Sequence, residues 1–479
     1  MAHPSSRARG QAQAEAHLTS PLVCPLIIAG EYENTATHMA VDAPRDGRHL
    51  GDVAAADATA VDRAARAAHD ALPEWRATPP LARAAALSGY AQLLDVNAER
   101  IAQLVADEVG KPLAEAQAEV VRAFEVVHHF AAEAARLGST HLPADSLVTG
   151  STVRPQPVGV IAAITPWNFP VALALWKLAP ALAAGCTLVI KPAQEAPLAA
   201  WTLVDLAQQA GLPPGVVNIV TGDGPLIGEA LATHPLVAKV AFTGSRRVAE
   251  QIAAWASPRL KLLSLELGGH GALIVLPDAD LDTAVDVAIV QGYANTGQAC
   301  YSVNRVLVPP TLSEAFLDRF RARLADVPSG VMVTDRGRTR HVALLDDARA
   351  AGAHVEGGDV DGRWVAPALV TGAGPGVRVI DEEPFTPIVA VVEVPDTAAA
   401  ITEANRPDYG LVNYVCGEDL RACLETAAAL TCGTVAINGW RVVVPHAPYG
   451  GWKGSGLGTE LGRAGLEAFC RWQHLRVLR

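Results

Sequence analysis

GVIAAITPWNFP, residues 159–170, followed by VALALWKLAPALAAG (171–185) and CTLVIKP (186–192), reads as strand, loop, helix and strand. The run 159–164 is short, apolar and stopped at Thr165-Pro166; 171–184 carries helical spacing; 186–190 is a second apolar run. The alternation continues with a helix at 196–210, a strand at 216–220, a helix at 226–233 and a strand at 237–242 ahead of Gly244-Ser245. Strands alternating with helices specify an α/β fold with a doubly wound parallel sheet, whose ligands sit at the carboxyl ends of the strands. Thr165 to Pro170, Lys191 and Gly244-Ser245 each fall just after a strand, where a nucleotide lies.

Upstream, alanine-rich segments at 54–69 and 80–109 repeat apolar positions at helical spacing. Gly110-Lys111-Pro112 punctuates the second, and 114–137 resumes a long helix. Residues 140–157 break into short polar pieces suited to strands or an arm. Downstream, a second α/β pattern starts at Gly271: strand 272–276, helix 281–293, a cysteine segment, strand 303–308, helices 312–324 and 338–351, and strands 388–394 and 434–438. A glycine-dense loop follows at 450–458. The closing stretch 472–478 alternates as an edge strand, and an open edge at a terminus is commonly paired in an oligomer.

Composition bounds the function. A chain of 479 residues, half of them hydrophobic, buries sizeable cores in two or three domains. Its 38 Lys+Arg against 50 Asp+Glu give −12 without long runs, so a phosphate backbone finds no basic footprint. Seven dispersed cysteines with no CxxC pair argue against a zinc cage and a disulfide framework, and suit a reducing cytoplasm. Residues 1–20 lack an apolar signal core and read as a disordered tail. The most apolar region, 158–190, is interrupted by Pro166, Asn168, Pro170, Lys177, Pro180 and Gly185, which argues against a membrane span.

Three residues carry candidate chemistry. Cys300 closes the glycine-bearing stretch Gly297-Gln298-Ala299-Cys300, whose loop character exposes a thiol and frees its backbone N–H for an oxyanion; the ordinary alternative is an inert packed thiol. Glu266, between Leu265 and Leu267 and ahead of Gly268-Gly269, is placed for burial, which raises a carboxyl pKa toward that of a general base; the alternative is a carboxylate capping the glycine turn. Asn168, between Trp167 and Phe169, offers an amide N–H to a cleft, or else shapes a local turn. A thiol nucleophile with a carboxylate base is a sufficient core for acyl chemistry.

TPWNFP (165–170), Lys191-Pro192, Phe242-Thr243-Gly244-Ser245, LELGG (265–269), GQAC (297–300), Glu382-Glu383-Pro384-Phe385 and PYGGWKGSGLG (448–458) occur in the order found in the aldehyde dehydrogenase superfamily, and from about residue 25 to the C-terminus the chain resembles it. The resemblance implies a cofactor domain (21–136 and 158–265), a catalytic domain (266–455) and a small β oligomerisation element (137–157 and 456–479). It implies Cys300 as the nucleophile that forms a thiohemiacetal, Asn168 with the Cys300 N–H as the oxyanion hole, Glu266 as the base that hydrolyses the thioester, and Lys177 as a further catalytic residue. For NAD or NADP it implies Lys191 and Gln194 at the adenosine ribose, Gly244-Ser245 at the pyrophosphate, Glu383 at the nicotinamide ribose, Phe385 near the nicotinamide, and contacts from Thr165, Pro166, Trp167, Gly224, Phe242, Val248, Leu267 and Gly268. Phe169, Leu173, Trp176, Tyr301, Val443 and Tyr449 match the walls of an aldehyde tunnel, which favours an apolar or aromatic aldehyde. A homodimer or homotetramer is expected, with no metal, nucleic acid or membrane partner.

The chain departs from the family pattern at several places. Gln194 stands where NAD-preferring members carry Glu, which relaxes discrimination against a 2′-phosphate. Arg246 and Arg247 add positive charge after Gly244-Ser245, Ala249 replaces a glycine, His270 a lysine, and Thr386 a glycine; the stretch 326–339 is shortened. Trp176 takes the place of an arginine found in members acting on succinic semialdehyde, which argues against a carboxylate-bearing substrate, while Arg441 near the tunnel mouth argues the other way. The rival readings are a member passing the acyl group to coenzyme A, disfavoured by Glu266, and a non-catalytic binding protein of the same fold.

Overall fold

The computed structural model describes residues 21–143 and 148–478. The tail read at 1–20 lies outside them. Parallel strands Leu262–Glu266, Val237–Thr243, Val160–Ile164, Thr187–Lys191 and Val217–Ile219 lie side by side in that order. Nearly every residue in them is buried, which explains why they read as continuous apolar runs instead of alternating ones. The chain starts at Val160–Ile164, winds outward to Val217–Ile219, then returns to the other flank of its first strand as Val237–Thr243. That reversal opens a crevice beyond the carboxyl ends of Val160–Ile164 and Val237–Thr243, where Thr165 and Gly244 follow. Helix Pro170–Ala184 is buried on all sides except at Ala172, as its uniformly apolar sequence requires.

A second, mostly parallel sheet is centred on Gly271–Val275, paired with Val303–Val308 on one side and Val412–Cys416 on the other. Ile388–Glu393 and Ala368–Thr371 extend it one way and Thr434–Ile437 the other. Only Leu267, Gly268, Gly269 and His270 separate the last strand of the first sheet from the first strand of the second. A third sheet pairs Cys470–Leu478 antiparallel with Val148–Pro157, from Cys470 opposite Pro157 onward, with Thr140–Leu142 at its far edge.

The N-terminal region differs from its sequence reading. Residues 22–54 supply five short strands that the sequence pattern did not signal, and Ala54 ends the strand His49–Ala54 where a helix was expected to begin. Helix Ala58–Ala77 starts with Asp57 accepting the Ala60 N–H and runs past Pro73. The single helix expected at 80–109 is two, Pro80–Val96 and Ala98–Val109, parted at Asn97. Glu108, on the second, is fully buried and accepts the N–H groups of Leu198 and Ala199 (2.9 Å for Ala199), capping helix Pro197–Gln209 from a neighbouring element.

Candidate active site

The cysteine loop is held in an unusual backbone shape. Asn295 and Thr296 have φ of 49° and 58° inside the turn Ala294–Gly297, and Gly297 has φ 67°. A Cβ on Gly297 would run into the Thr386 carbonyl, so glycine is required there on two counts. Side chains fix the loop further. Glu115 accepts the Asn295 N–H (2.9 Å), and Gln298 donates to the carbonyls of Asn295 (3.0 Å) and Val331 (3.1 Å) and accepts the Val333 N–H (3.1 Å). The Cys300 N–H donates to no other described residue and lies against its own sulfur.

Cys300 is half-buried and opens on a cavity of about 560 Å³. Its Sγ lies 3.8 Å from the Tyr449 hydroxyl. Burial pushes the thiol up to about 12; the Tyr449 hydroxyl opposes this, and the fields of Glu383 and Glu266 add to it. Glu266 lines the same cavity, is 3 % exposed, and neither carboxylate oxygen has a hydrogen-bond partner among the described residues. Desolvation and then the nearby Glu460 drive its pKa well above the carboxylate range, against the pull of Lys177. Lys177 is fully buried, donating to Glu460 Oε1 (2.8 Å) and Thr243 Oγ1 (2.6 Å). Glu460 follows the glycine-dense loop, and no local pattern marks it.

Asn168 lies behind the cavity wall, 4 % exposed. Its amide is not wholly free, as the sequence suggested: Nδ2 donates one hydrogen to the Gln298 carbonyl (3.0 Å), leaving the second. Its own carbonyl is gripped by Lys111 Nζ (2.8 Å) and Asn295 Nδ2 (3.1 Å). Lys111 in turn pairs with Glu119 (2.8 Å), both side chains 1 % exposed, and the other Glu119 oxygen accepts the N–H groups of Val171 and Ala172 at the start of helix Pro170–Ala184. Lys111 Nζ also sits 4.2 Å over the Phe169 ring. Lys111, read from sequence as loop punctuation, is therefore the tie between Asn168 and the helix behind it.

The structure brings Phe169, Leu173, Trp176, Tyr301, Val443 and Tyr449 together as lining of the Cys300 cavity. Trp176 meets Tyr449 edge-on at 5.4 Å and Phe169 tilts against Tyr301 at 5.7 Å.

The crevice at the sheet reversal fits a dinucleotide. Helix Arg246–Ala256 begins after Ser245 with no side-chain cap, and the N–H groups of Arg246 and Arg247 meet no acceptor among the described residues, a ready site for a phosphate. A Cβ on Gly244 would press on the Phe242 ring. Lys191 is 4 % exposed without a hydrogen-bond partner among the described residues, its pKa lowered by burial against the fields of Glu195 and Asp223, and Gly224 lies beside its ammonium. The Thr165 hydroxyl is buried and has no partner among the described residues. These are donors awaiting acceptors. Pro166 and Trp167 are half-exposed at the same strand end, with Trp167 edge-on to Phe385 at 5.8 Å. Val248 is half-buried in the first turn of the helix, and Leu267 donates to the Ser455 carbonyl (3.0 Å) while lining the cavity. Glu383 accepts the Gly269 N–H (2.9 Å) and burial pushes it up to about 7; a Cβ on Gly268 would strike its carboxylate.

Two expectations about charge change. Arg246 is spent on Asp408 (2.6 Å) and Glu250 (3.0 Å), whereas Arg247 at the helix start pairs with no described residue. Gln194 does remove a carboxylate from its position, donating instead to Met39 Sδ (3.5 Å), but Glu195 and Asp223 keep negative charge within reach of Lys191. His270, in place of a lysine, is buried between the Ile380 carbonyl (2.8 Å) and Asn304 (3.4 Å). No group of three or more His, Cys, Asp or Glu converges as a metal site among the described residues, and no helix there is long and apolar enough to cross a membrane.

The aldehyde dehydrogenase family model matches residues 32–475. The chain is 36 % identical over 446 residues to glutarate-semialdehyde dehydrogenase of Pseudomonas putida, covering 91 % of this chain and 93 % of that one. It is 35 % identical over 467 residues to the NADP+-dependent succinate-semialdehyde dehydrogenase of Escherichia coli, covering 94 % and 97 %. The structure superposes on betaine aldehyde dehydrogenase of Staphylococcus aureus in complex with NAD+ at a TM-score of 0.93, with 30 % identity and 97 % coverage of both chains.

The Lys111 tie is open to a direct check. Lys111→Met strands Glu119 as a buried charge and is expected to lower stability by about 3 kcal/mol. Adding Glu119→Gln restores most of it in denaturant unfolding while kcat stays depressed, because Asn168 has lost its anchor. Full recovery of kcat in the double variant shows the pair to be structural only.

Proposed function

The chain belongs to the aldehyde dehydrogenase family and is an NAD(P)-dependent enzyme oxidising an aldehyde to its acid, and from that premise we propose that Cys300 is its nucleophile and Glu266 its deacylating base. One observation carries the reading: a half-buried thiol and a buried carboxylate with both oxygens unpartnered open onto one cavity beside the dinucleotide crevice.

Cys300 gives up its proton to water in the cavity, and the thiolate Sγ attacks the aldehyde carbon. The carbonyl oxygen becomes an oxyanion, for which the donors are the second Asn168 N–H and the Cys300 N–H, neither bonded to another described residue. Lys191, Gly244, Ser245 and Glu383 would hold NAD(P), which would supply the acceptor for the hydride that leaves the carbon. Glu266 then removes a proton from water, the hydroxide adds to the thioester carbonyl, the C–S bond breaks and the acid departs. Lys177, anchored to Glu460, favours the ionised form of Glu266, while Glu460 opposes it. The apolar and aromatic lining suits an aldehyde with an apolar or aromatic stem.

A second copy of the chain covers the third sheet. Strand Cys470–Leu478 is exposed at every position after Cys470, on both faces, with Trp472 at 50 % and Val477 at 60 %. Such an edge is stable in solution when paired, which supports a homodimer or homotetramer. Seven free cysteines suit a reducing, cytoplasmic setting.

Cys300→Ala is expected to abolish NAD(P)H formation while cofactor binding persists, and added coenzyme A should leave the product a free acid. Glu266 acts ionised and its pKa is raised, so deacylation should accelerate as pH climbs above the ordinary carboxylate range, and Glu266→Gln should flatten that rise while sparing the first hydride transfer. Equal loss of both phases contradicts the assignment. For the assembly, Trp472→Asp with Val477→Asp should lower the mass measured by light scattering; an unchanged mass contradicts pairing through this strand.

A further inference from the structure

We propose that Arg122 and Arg441 form an anion site at the outer end of the Cys300 cavity, so that the preferred aldehydes carry a carboxylate or sulfonate at the far end of an apolar stem. The inference rests on the assignment of Cys300 as the reacting end. Exposure orders the cavity from inside to outside: Tyr449 is 3 % exposed, Leu173 5 % and Trp176 7 %, whereas the rim carries Val290 at 39 % and Trp440 at 43 %. Arg122 and Arg441 line the cavity and are exposed, which places them with the rim.

Charge accounting singles out these two. Among the other charged side chains lining the cavity, Lys111 and Glu119 neutralise each other, the raised pKa of Glu266 favours its neutral form, and Glu115, which accepts the Asn295 N–H, is one carboxylate against the two guanidinium groups. Arg122 and Arg441 make no hydrogen bond or ion pair with any described residue. The inner wall of aromatic and aliphatic side chains offers a charged group nothing, so a substrate anion is driven to the mouth. Two guanidinium forks suit a planar carboxylate or a sulfonate.

Helix Leu113–Arg136 sets the length. Glu115 touches the cysteine loop, and Arg122 is seven residues further along the same helix, a rise of roughly 10 Å. A benzene ring or a chain of several methylenes spans that gap once the arginine side chain reaches inward. The arginines are solvent-accessible, so their pull weakens with salt.

The test compares benzaldehyde, 4-carboxybenzaldehyde and 4-formylbenzenesulfonate, which share one ring, on the parent enzyme and on Arg122→Met/Arg441→Met. The parent is expected to favour the anionic rings by about tenfold in kcat/KM, mainly through KM. That ratio should shrink with added salt and fall toward one in the double variant, and a preference for only one anion identifies which headgroup the site takes. Equal kcat/KM for all three rings, or a preference that survives the double substitution, overturns the proposal. If no ring is oxidised, Cys300→Ala assayed with an aldehyde that is turned over tests the Cys300 assignment separately. Calorimetric binding of terephthalate against benzoate then still decides the anion site: tighter terephthalate binding that depends on both arginines supports it, and equal binding overturns it.

Discussion

The joint Gly268-Gly269 is the constraint on which the site depends. It links strand Leu262–Glu266 of the first sheet to strand Gly271–Val275 of the second, and neither position has room for a side chain. A Cβ on Gly268 would strike the Glu383 carboxylate; one on Gly269 would strike the Cys300 carbonyl oxygen. The backbone N–H of Gly269 binds Glu383, and Glu266 closes the strand just before the joint. Three residues from distant parts of the chain are therefore referred to one short piece of main chain, and both sheets must dock closely for any of them to be in place.

Around that joint the protein separates two kinds of buried charge. Lys111 with Glu119 and Lys177 with Glu460 are paired at 2.8 Å and serve as fixed posts, one behind Asn168 and one behind Glu266. Glu266, Glu383 and Cys300 face the cavity or crevice with their pKa values raised by burial. A group held away from its ordinary ionisation state can exchange a proton when a ligand or water arrives, whereas a well-matched pair cannot do so without stranding its partner. The division between scaffold and reacting groups follows from this.

Much of this was legible in the sequence. The doubly wound sheet was, because strands buried on both faces are uninterrupted apolar runs separated by helices of regular spacing. Cys300 and Glu266 stood out by their glycine-bearing contexts and the tunnel residues by resemblance to the family, and the structure gathers them around one cavity. The N-terminal strands were not: Leu22–Cys24, Leu26–Ile28 and Glu31–Glu33 are three residues each, too short for alternation to show. The break at Asn97 carries neither glycine nor proline. Glu108 and Glu119 look like ordinary polar positions on amphipathic helices and Lys111 like part of the break between two of them; their buried partners are N–H groups and carbonyls of remote elements. Arg246 shows the same limit, since its neutralisation by Asp408 is a contact across 162 positions.

The account turns on a covalent bond to one sulfur. Mixing Glu266→Gln protein with NAD(P) and a turnover aldehyde, quenching in acid and mapping peptides by mass spectrometry tests this most directly. The Cys300 peptide should gain the mass of the acyl group, in proportion to the first burst of NAD(P)H. A burst of NAD(P)H with an unmodified Cys300, or with the acyl group on another residue, contradicts it.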